Sequence, residues 1–163
     1  MKYLACFRPN KDLSDLIFKQ NHLVLPSSGL HSTLCVFYMK PENELNLITD
    51  LSKIYFNPFE IETLEFGDFY KDSLVLKLSC SDRLLQLHKK IVSVVKCYSF
   101  KDLEEFYEVG KYNPHFRISK SSKLEFDRTS KELIGKRDII QKYILVRKDN
   151  GSAKEIKDFY FTE

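Results

Sequence analysis

The sequence predicts an α+β fold of two similar lobes packed side by side. Three observations lead there. Apolar segments switch between the two-residue period of strands and the 3.6-residue period of helices. Read in chain order they give strand, helix, strand, helix, strand, strand, helix, strand and a terminal hairpin, an order that suits two packed α+β layers. Finally, 163 residues with 43% hydrophobic content can bury one good core but not two independent ones. A single two-lobed domain over residues 1–163 is therefore expected, with the cleft between the lobes as the natural site.

Lys2 to Phe7 reads as the first strand, and Asn10 caps a helix running toward Gln20. Pro26 to Gly29 is a loop, and His31 to Met39, rich in β-branched and aromatic residues, is the second strand. Pro41 and Glu42 start a helix reaching about Tyr55. Strands follow at Phe59 to Phe66 and Ser73 to Leu78, with turn residues around Gly67 and Asp72 between them. Ser81 caps a long helix whose apolar positions Leu84, Leu85, Leu87, His88, Ile91, Val92 and Val95 keep the helical period. Pro114 to Ser119 is a short strand, and Asp127 to Ile134 a helix ended by Gly135. Ile139 to Lys148 and Ala153 to Phe161 flank the hairpin signal Asn150-Gly151.

The bulk properties exclude several classes. The net charge of +3, from 26 basic and 23 acidic side chains, lacks the block of positive charge of a duplex-DNA binder but admits a small anion or a short RNA end in a local basic cleft. Cys6, Cys35, Cys80 and Cys97 have no metal-finger spacing, which predicts free thiols in a reducing compartment and no zinc site. No apolar run approaches the ~20 residues that span a bilayer, and the apolar run near Met1 is too brief for a secretory signal. The expectation is a cytoplasmic monomer with no metal, no cofactor and no membrane partner.

Two segments carry the chemistry: Leu30-His31-Ser32-Thr33-Leu34 and Asn113-Pro114-His115-Phe116-Arg117-Ile118-Ser119. Strand alternation puts His31 and Thr33 on one face, and His115, Arg117 and Ser119 on one face. Cleaving a phosphodiester without metal needs one group to deprotonate the nucleophile and another to protonate the leaving oxygen. Two imidazoles with an ordinary pKa near ~6.5 suit both tasks. The Thr33 hydroxyl, the Arg117 guanidinium and Ser119 are candidates to hold the phosphate oxygens.

On these residues the chain resembles the two-histidine (2H) phosphoesterase superfamily, LigT-like and 2′-5′ RNA ligase-like, whose signature is HxT or HxS occurring twice. His31-Ser32-Thr33 fits the first copy, and Lys111 to His115 resembles the approach to the second. Arg117 departs from the pattern, standing where the second hydroxyl belongs. The resemblance implies a bilobal, pseudo-twofold fold with antiparallel sheets lining a central cleft. It also implies metal-independent hydrolysis or ligation at 2′-linked phosphates of RNA or a nucleotide.

The remaining candidates are weaker. His88 lies in the apolar stripe of the long helix and reads as structural; His22 follows a helix and reads as a cap. Tyr112, Tyr38 and Phe116 are candidates to stack on a base, a contact worth ~1–3 kcal/mol, with Tyr112 preferred. Lys142, Arg147 and Lys148 would extend a basic rim. Two other functions compete: a non-catalytic RNA-end or nucleotide-binding module, suggested by Arg117, and a metal-dependent nuclease, which the absence of any close His and carboxylate cluster supports poorly.

Overall fold

Side chains that alternate along the strands sort this chain onto two antiparallel sheets. The computed structural model describes residues 1–19, 29–69, 73–103, 107, 110–119 and 130–162, with Phe69, Ser119 and Ser130 described by their backbone alone. Among these residues the strands are β1 (Lys2–Phe7), β2 (Ser32–Tyr38), β3 (Phe59–Phe69), β4 (Ser73–Leu78), β5 (His115–Ser119), β6 (Arg137–Ile140), β7 (Lys142–Asp149) and β8 (Ser152–Tyr160). One sheet has the order β2-β1-β7-β8 and the other β5-β4-β3-β6. Both histidine motifs thus lie on edge strands, β2 in one lobe and β5 in the other.

Three α-helices pack against the sheets: α1 (Lys11–Phe18), α2 (Glu44–Leu51) and α3 (Asp82–Lys96). Asn10 Oδ1 accepts from the Leu13 amide at 2.9 Å and Ser81 Oγ from the Leu84 amide at 3.3 Å, so both expected caps form. The apolar stripe of α3 is buried and packs against β2 and α2. At the other end of the chain, Asn150 (φ 44°) and Gly151 (φ 85°) make the tight turn between β7 and β8, a conformation that this residue pair tolerates.

A shared core joins the lobes. Tyr3, Phe7 and Phe37 from the first sheet meet Phe59, Ile61, Leu76 and Phe116 from the second. Phe7 stands edge-on to both Phe59 and Phe116, with ring centroids 6.1 Å apart in each case. The opposite face of the first sheet carries a smaller buried cluster, Leu4, Cys6, Ile144 and Val146, with Val36 and Ala153 packed against it.

Several boundaries differ from the sequence expectation. The helix after Pro41 begins as a 3-10 turn, Pro41–Asn43, and α2 stops at Leu51 rather than Tyr55. Gly67 lies inside β3 rather than in a turn, paired with Val75. A Cβ there would meet the Lys77 side chain at 2.7 Å, so the glycine admits a cross-strand lysine. The segment Ile139 to Lys148 is not one strand. Gln141 carries the chain from β6 in the second sheet to β7 in the first. Of the expected helix from Asp127 to Ile134, Ser130–Leu133 is a 3-10 turn and Ile134 lies in the turn after it; Asp127 to Thr129, Asp72, and the loop from Pro26 to Ser28 lie outside the described residues. All four cysteines are free, Cys6 and Cys35 buried and Cys80 and Cys97 exposed. No helix among the described residues is long and apolar enough to cross a membrane.

Because Phe7 packs against the second sheet from the first, Phe7→Ala opens a void where the lobes join. We expect a loss of about 3–5 kcal/mol, read as a lower urea midpoint at unchanged slope.

Candidate active site

His31 immediately precedes β2 and His115 opens β5, and the two are held in the same way. His31 Nδ1 lies 2.7 Å from the carbonyl oxygen of Gly29, and His115 Nδ1 lies 2.9 Å from that of Asn113. A carbonyl only accepts, so in each ring Nδ1 carries the proton and donates it. Nε2 is then the nitrogen that takes up or releases a proton in both imidazoles. Gly29 has a φ of 72°, a backbone that strains other L residues, and that conformation aims its carbonyl back at the histidine.

The edge strands β2 and β5 pack against one another. Beneath the two histidines lies the Phe7–Phe116 contact: Phe7 pairs across the sheet with Ser32, the residue after His31, and Phe116 follows His115. A second brace comes from α3. His88 is fully buried, its Nδ1 lies 2.9 Å from the Leu34 carbonyl, and its ring stacks on Tyr112 with centroids 4.1 Å apart and planes 7° apart. One side chain of α3 therefore touches the strand after His31 and the segment before His115. Burial lowers the His88 pKa, which suits a structural ring.

The electrostatics favour the neutral form of both imidazoles. Burial is the largest effect on His31. Despite the Gly29 carbonyl, which favours the charged form, and with Lys148, Arg8 and His115 adding to the shift, its pKa is pushed down to about 4. His115 is lowered by burial first, partly restored by the Asn113 carbonyl, then lowered again by Arg117. The charge of His115 is the smallest of the effects that lower His31. Lys148 is itself lowered by burial and by the charges of Lys2 and Arg117. Arg8, beyond the end of β1, and Lys148, on β7, thus act on His31, and Arg117, on β5, acts on His115.

Thr33 is half-buried on the same face as His31, paired with Cys6. Arg117 is exposed on the face of His115, whereas Phe116 and Ile118 point into the core. Ser119 ends β5, and its side chain lies outside the described residues, as does His22. The stacking candidates fare differently. Tyr112 is 8% exposed with its ring against His88, and Phe116 is fully buried against Phe7, so neither offers a face to a base. Tyr38 sits at the far end of β2, about 23 Å from His31 at ~3.3 Å per strand residue. Of the expected basic rim, Lys142 pairs with Asp158 at 2.5 Å and Arg147 with Glu44 at 3.0 Å, leaving Lys148 at the histidines.

Sequence reasoning missed Arg8. It follows the last residue of β1, next to the Phe7–Ser32 pair, with its guanidinium packed over Gly29 and paired with Glu155. The signal was its position one residue beyond a strand that must pair with the His31 strand. Among the described residues no cluster of three or more His, Cys, Asp or Glu side chains is placed to hold a metal.

No family model matches the sequence, and no curated protein matches it either. Solved structures do. Escherichia coli LigT in complex with 3′-AMP aligns over 99% of this chain and 98% of its own, with 14% identity and a TM-score of 0.67. The chain has the LigT fold. TT0787 of Thermus thermophilus aligns over 99% and 98%, with 17% identity and a TM-score of 0.69. Usb1 of Kluyveromyces marxianus aligns over 94% and 96%, with 9% identity and a TM-score of 0.53. Other LigT structures hold phosphate, NADP+ or ATP. The bilobal, antiparallel architecture that the resemblance implied is therefore correct for this chain, which follows the LigT fold over 99% of its length.

Since Lys148 lowers the His31 pKa, replacing its ammonium should raise it. In Lys148→Met the His31 titration, followed by imidazole NMR signals, is expected to move to higher pH, while His88 stays in place. The His31 shift also sets an acid limit on stability. Its folded pKa lies below the unfolded value, so its contribution is present above about pH 6.5 and is lost as pH falls toward about 4.

Proposed function

We propose that the chain is a metal-independent phosphodiesterase of the two-histidine type. It would hydrolyse a 2′,3′-cyclic phosphate or a 2′-linked phosphodiester of RNA or a nucleotide, with His31 and His115 sharing the acid and base roles. The observation that supports this best is the equivalent setting of the two imidazoles. Each stands at the start of an edge strand, each is held through Nδ1 by the carbonyl two residues upstream, and each turns Nε2 to proton transfer. The LigT fold adds to it, as does the binding of nucleotides and phosphate by LigT.

In the proposed reaction one neutral imidazole takes a proton from water as the water oxygen attacks phosphorus. The other imidazole, protonated, gives its proton to the departing ribose oxygen as that P–O bond breaks. The Thr33 hydroxyl and the Arg8, Lys148 and Arg117 cations hold the non-bridging oxygens and offset the charge that grows there in the transition state. In the free protein both pKa values are low, so the pair is neutral near pH 7. A phosphate between the cations cancels part of the field that expels the proton. The substrate thereby raises the affinity of the pair for the one proton it needs.

The decisive assay offers RNA ending in a 2′,3′-cyclic phosphate, and 2′-5′-linked oligoadenylate, in the presence of EDTA. Turnover is expected to persist with chelator and to fall about 100- to 10,000-fold in His31→Ala and in His115→Ala. Turnover abolished by EDTA would sink the mechanism. Tight binding of the cyclic-phosphate end with no product would instead leave a binding module on this fold, the reading that Arg117 in place of a hydroxyl favours.

The pH dependence follows from the same shifts. The free protein needs one imidazole neutral and one protonated, so kcat/KM is expected to peak on the acid side, below about pH 6.5 and above about 4. The kcat profile, which reports the complex, should peak at higher pH because the bound phosphate raises both pKa values.

A further inference from the structure

Beyond the histidines, the same face of the first sheet continues toward the start of β1. The cross-strand pairs Lys2–Tyr38 and Lys2–Lys148 put these three side chains in one row. Like charges directly opposite each other on neighbouring strands are unfavourable unless something offsets them. Neither Lys2 nor Lys148 pairs with a carboxylate among the described residues. Lys101, also without such a partner, places its Nζ 4.4 Å from the centre of the Tyr38 ring, and Lys2 Nζ is 5.8 Å from it. Phe100, 56% exposed, has its ring centroid 6.4 Å from that of Tyr38 and is anchored by its amide to the Tyr38 carbonyl at 3.0 Å. Beside it lies a depression of about 750 Å³ lined by Lys96, Ser99, Phe100, Lys101, Asp102 and Leu103. Lys96, in the last turn of α3, offsets the negative end of that helix.

The row is continuous with the histidine site. Thr33 pairs with Cys6 at one end and Lys2 stands four residues along β1 at the other, a run of about 13 Å. Leu4, Cys6, Ile144, Val146 and Val36 form the apolar floor between them. Lys148 bridges the two ends, since its charge acts on His31 and is itself acted on by Lys2. Unpaired cations interleaved with aromatic rings are what a single strand needs, its phosphates meeting the ammonium groups and its bases the ring faces.

We propose that Lys2, Lys148 and Lys101, with Tyr38 and Phe100, form a second subsite that binds the phosphates and a base of a single-stranded oligonucleotide whose end lies at the histidines. The inference rests on the proposed reading of His31 and His115 as the reactive end. It assigns the substrate as an oligonucleotide chain rather than a free mononucleotide. Tyr38, too far from His31 to stack on the reacting nucleotide, acquires a place in the binding of a more distant one.

The test measures fluorescence anisotropy of the intact protein with 5′-labelled RNA dinucleotide, tetranucleotide and octanucleotide, each ending in a 3′-phosphate. The octanucleotide should bind about ten-fold or more tightly than the dinucleotide. The length dependence should disappear in Phe100→Ala, and in Lys2→Gln/Lys101→Gln the salt slope should drop by about 0.7 per lysine removed. Equal affinity at all lengths, or length dependence unchanged in both variants, overturns the subsite. So does equal competition by poly-glutamate of matched charge, which would show charge attraction without a base. Hydrolysis of a 2′,3′-cyclic mononucleotide, measured alongside, separates the two readings. Turnover without length dependence removes the subsite alone, whereas length-dependent binding without turnover removes the catalytic role and leaves the subsite.

Discussion

The contact between Phe7 and Phe116 is the one on which the rest of the structure depends. Each ring belongs to a different sheet, and each lies beside a histidine: Phe7 is the cross-strand partner of Ser32, and Phe116 follows His115. Strand geometry turns the buried ring and the neighbouring imidazole to opposite faces, so packing below fixes spacing above. Core side chains are close-packed and hold their positions to fractions of an ångström, which a surface loop does not. The two imidazoles, on separate lobes, are therefore positioned by apolar packing beneath them. His88 adds a polar version of the same link, tied to Leu34 on one side and stacked on Tyr112 on the other.

Placing two imidazoles among Arg8, Lys148 and Arg117 has an electrostatic consequence. Burial and like charge both disfavour the imidazolium, so the free protein sheds those protons and presents a cluster of cations around two neutral rings. An anion among the cations opposes the like-charge effect, while the burial remains. On the proposed reading, recognition of the phosphate and protonation of the acid are then one event, and a neutral ligand of the same shape would bind without making the site competent. This differential stabilisation of the charged state is what catalysis requires, since interactions equal in ground and transition states accelerate nothing.

Much of this architecture was legible because local chemistry specified it. The caps at Asn10 and Ser81, the stripe of α3 and the Asn150-Gly151 turn depend on neighbours a few residues away, and each is where the sequence put it. The histidine motifs were legible for the same reason, as period-two segments with a proline or glycine before them. What escaped was set by contacts distant in sequence. Gly67 reads as a turn until Lys77 is seen to need its space across the sheet. Gln141 shows nothing that marks a crossing between sheets. Tyr112 looks like an exposed loop ring until His88, on a separate helix, covers it. Arg8 becomes part of the site only once β1 is known to pair with β2.

Arg117 puts a full charge on the face of β5 that carries His115. A hydroxyl at that position would offer a dipole close to the strand; a guanidinium offers a full charge and two parallel donors on a longer arm. Its field reaches His115 and, on the other lobe, Lys148. The Arg117 charge therefore pushes the imidazole toward neutrality and adds to the positive field at Lys148. Lys2, opposite Lys148, adds to that need. A ligand with one phosphate can relieve only the charges it touches, whereas a chain with several can relieve Arg117, Lys148 and Lys2 in turn. On the proposed reading, the surplus of cations along this face argues, by charge balance, for a substrate longer than the bond it presents to the histidines.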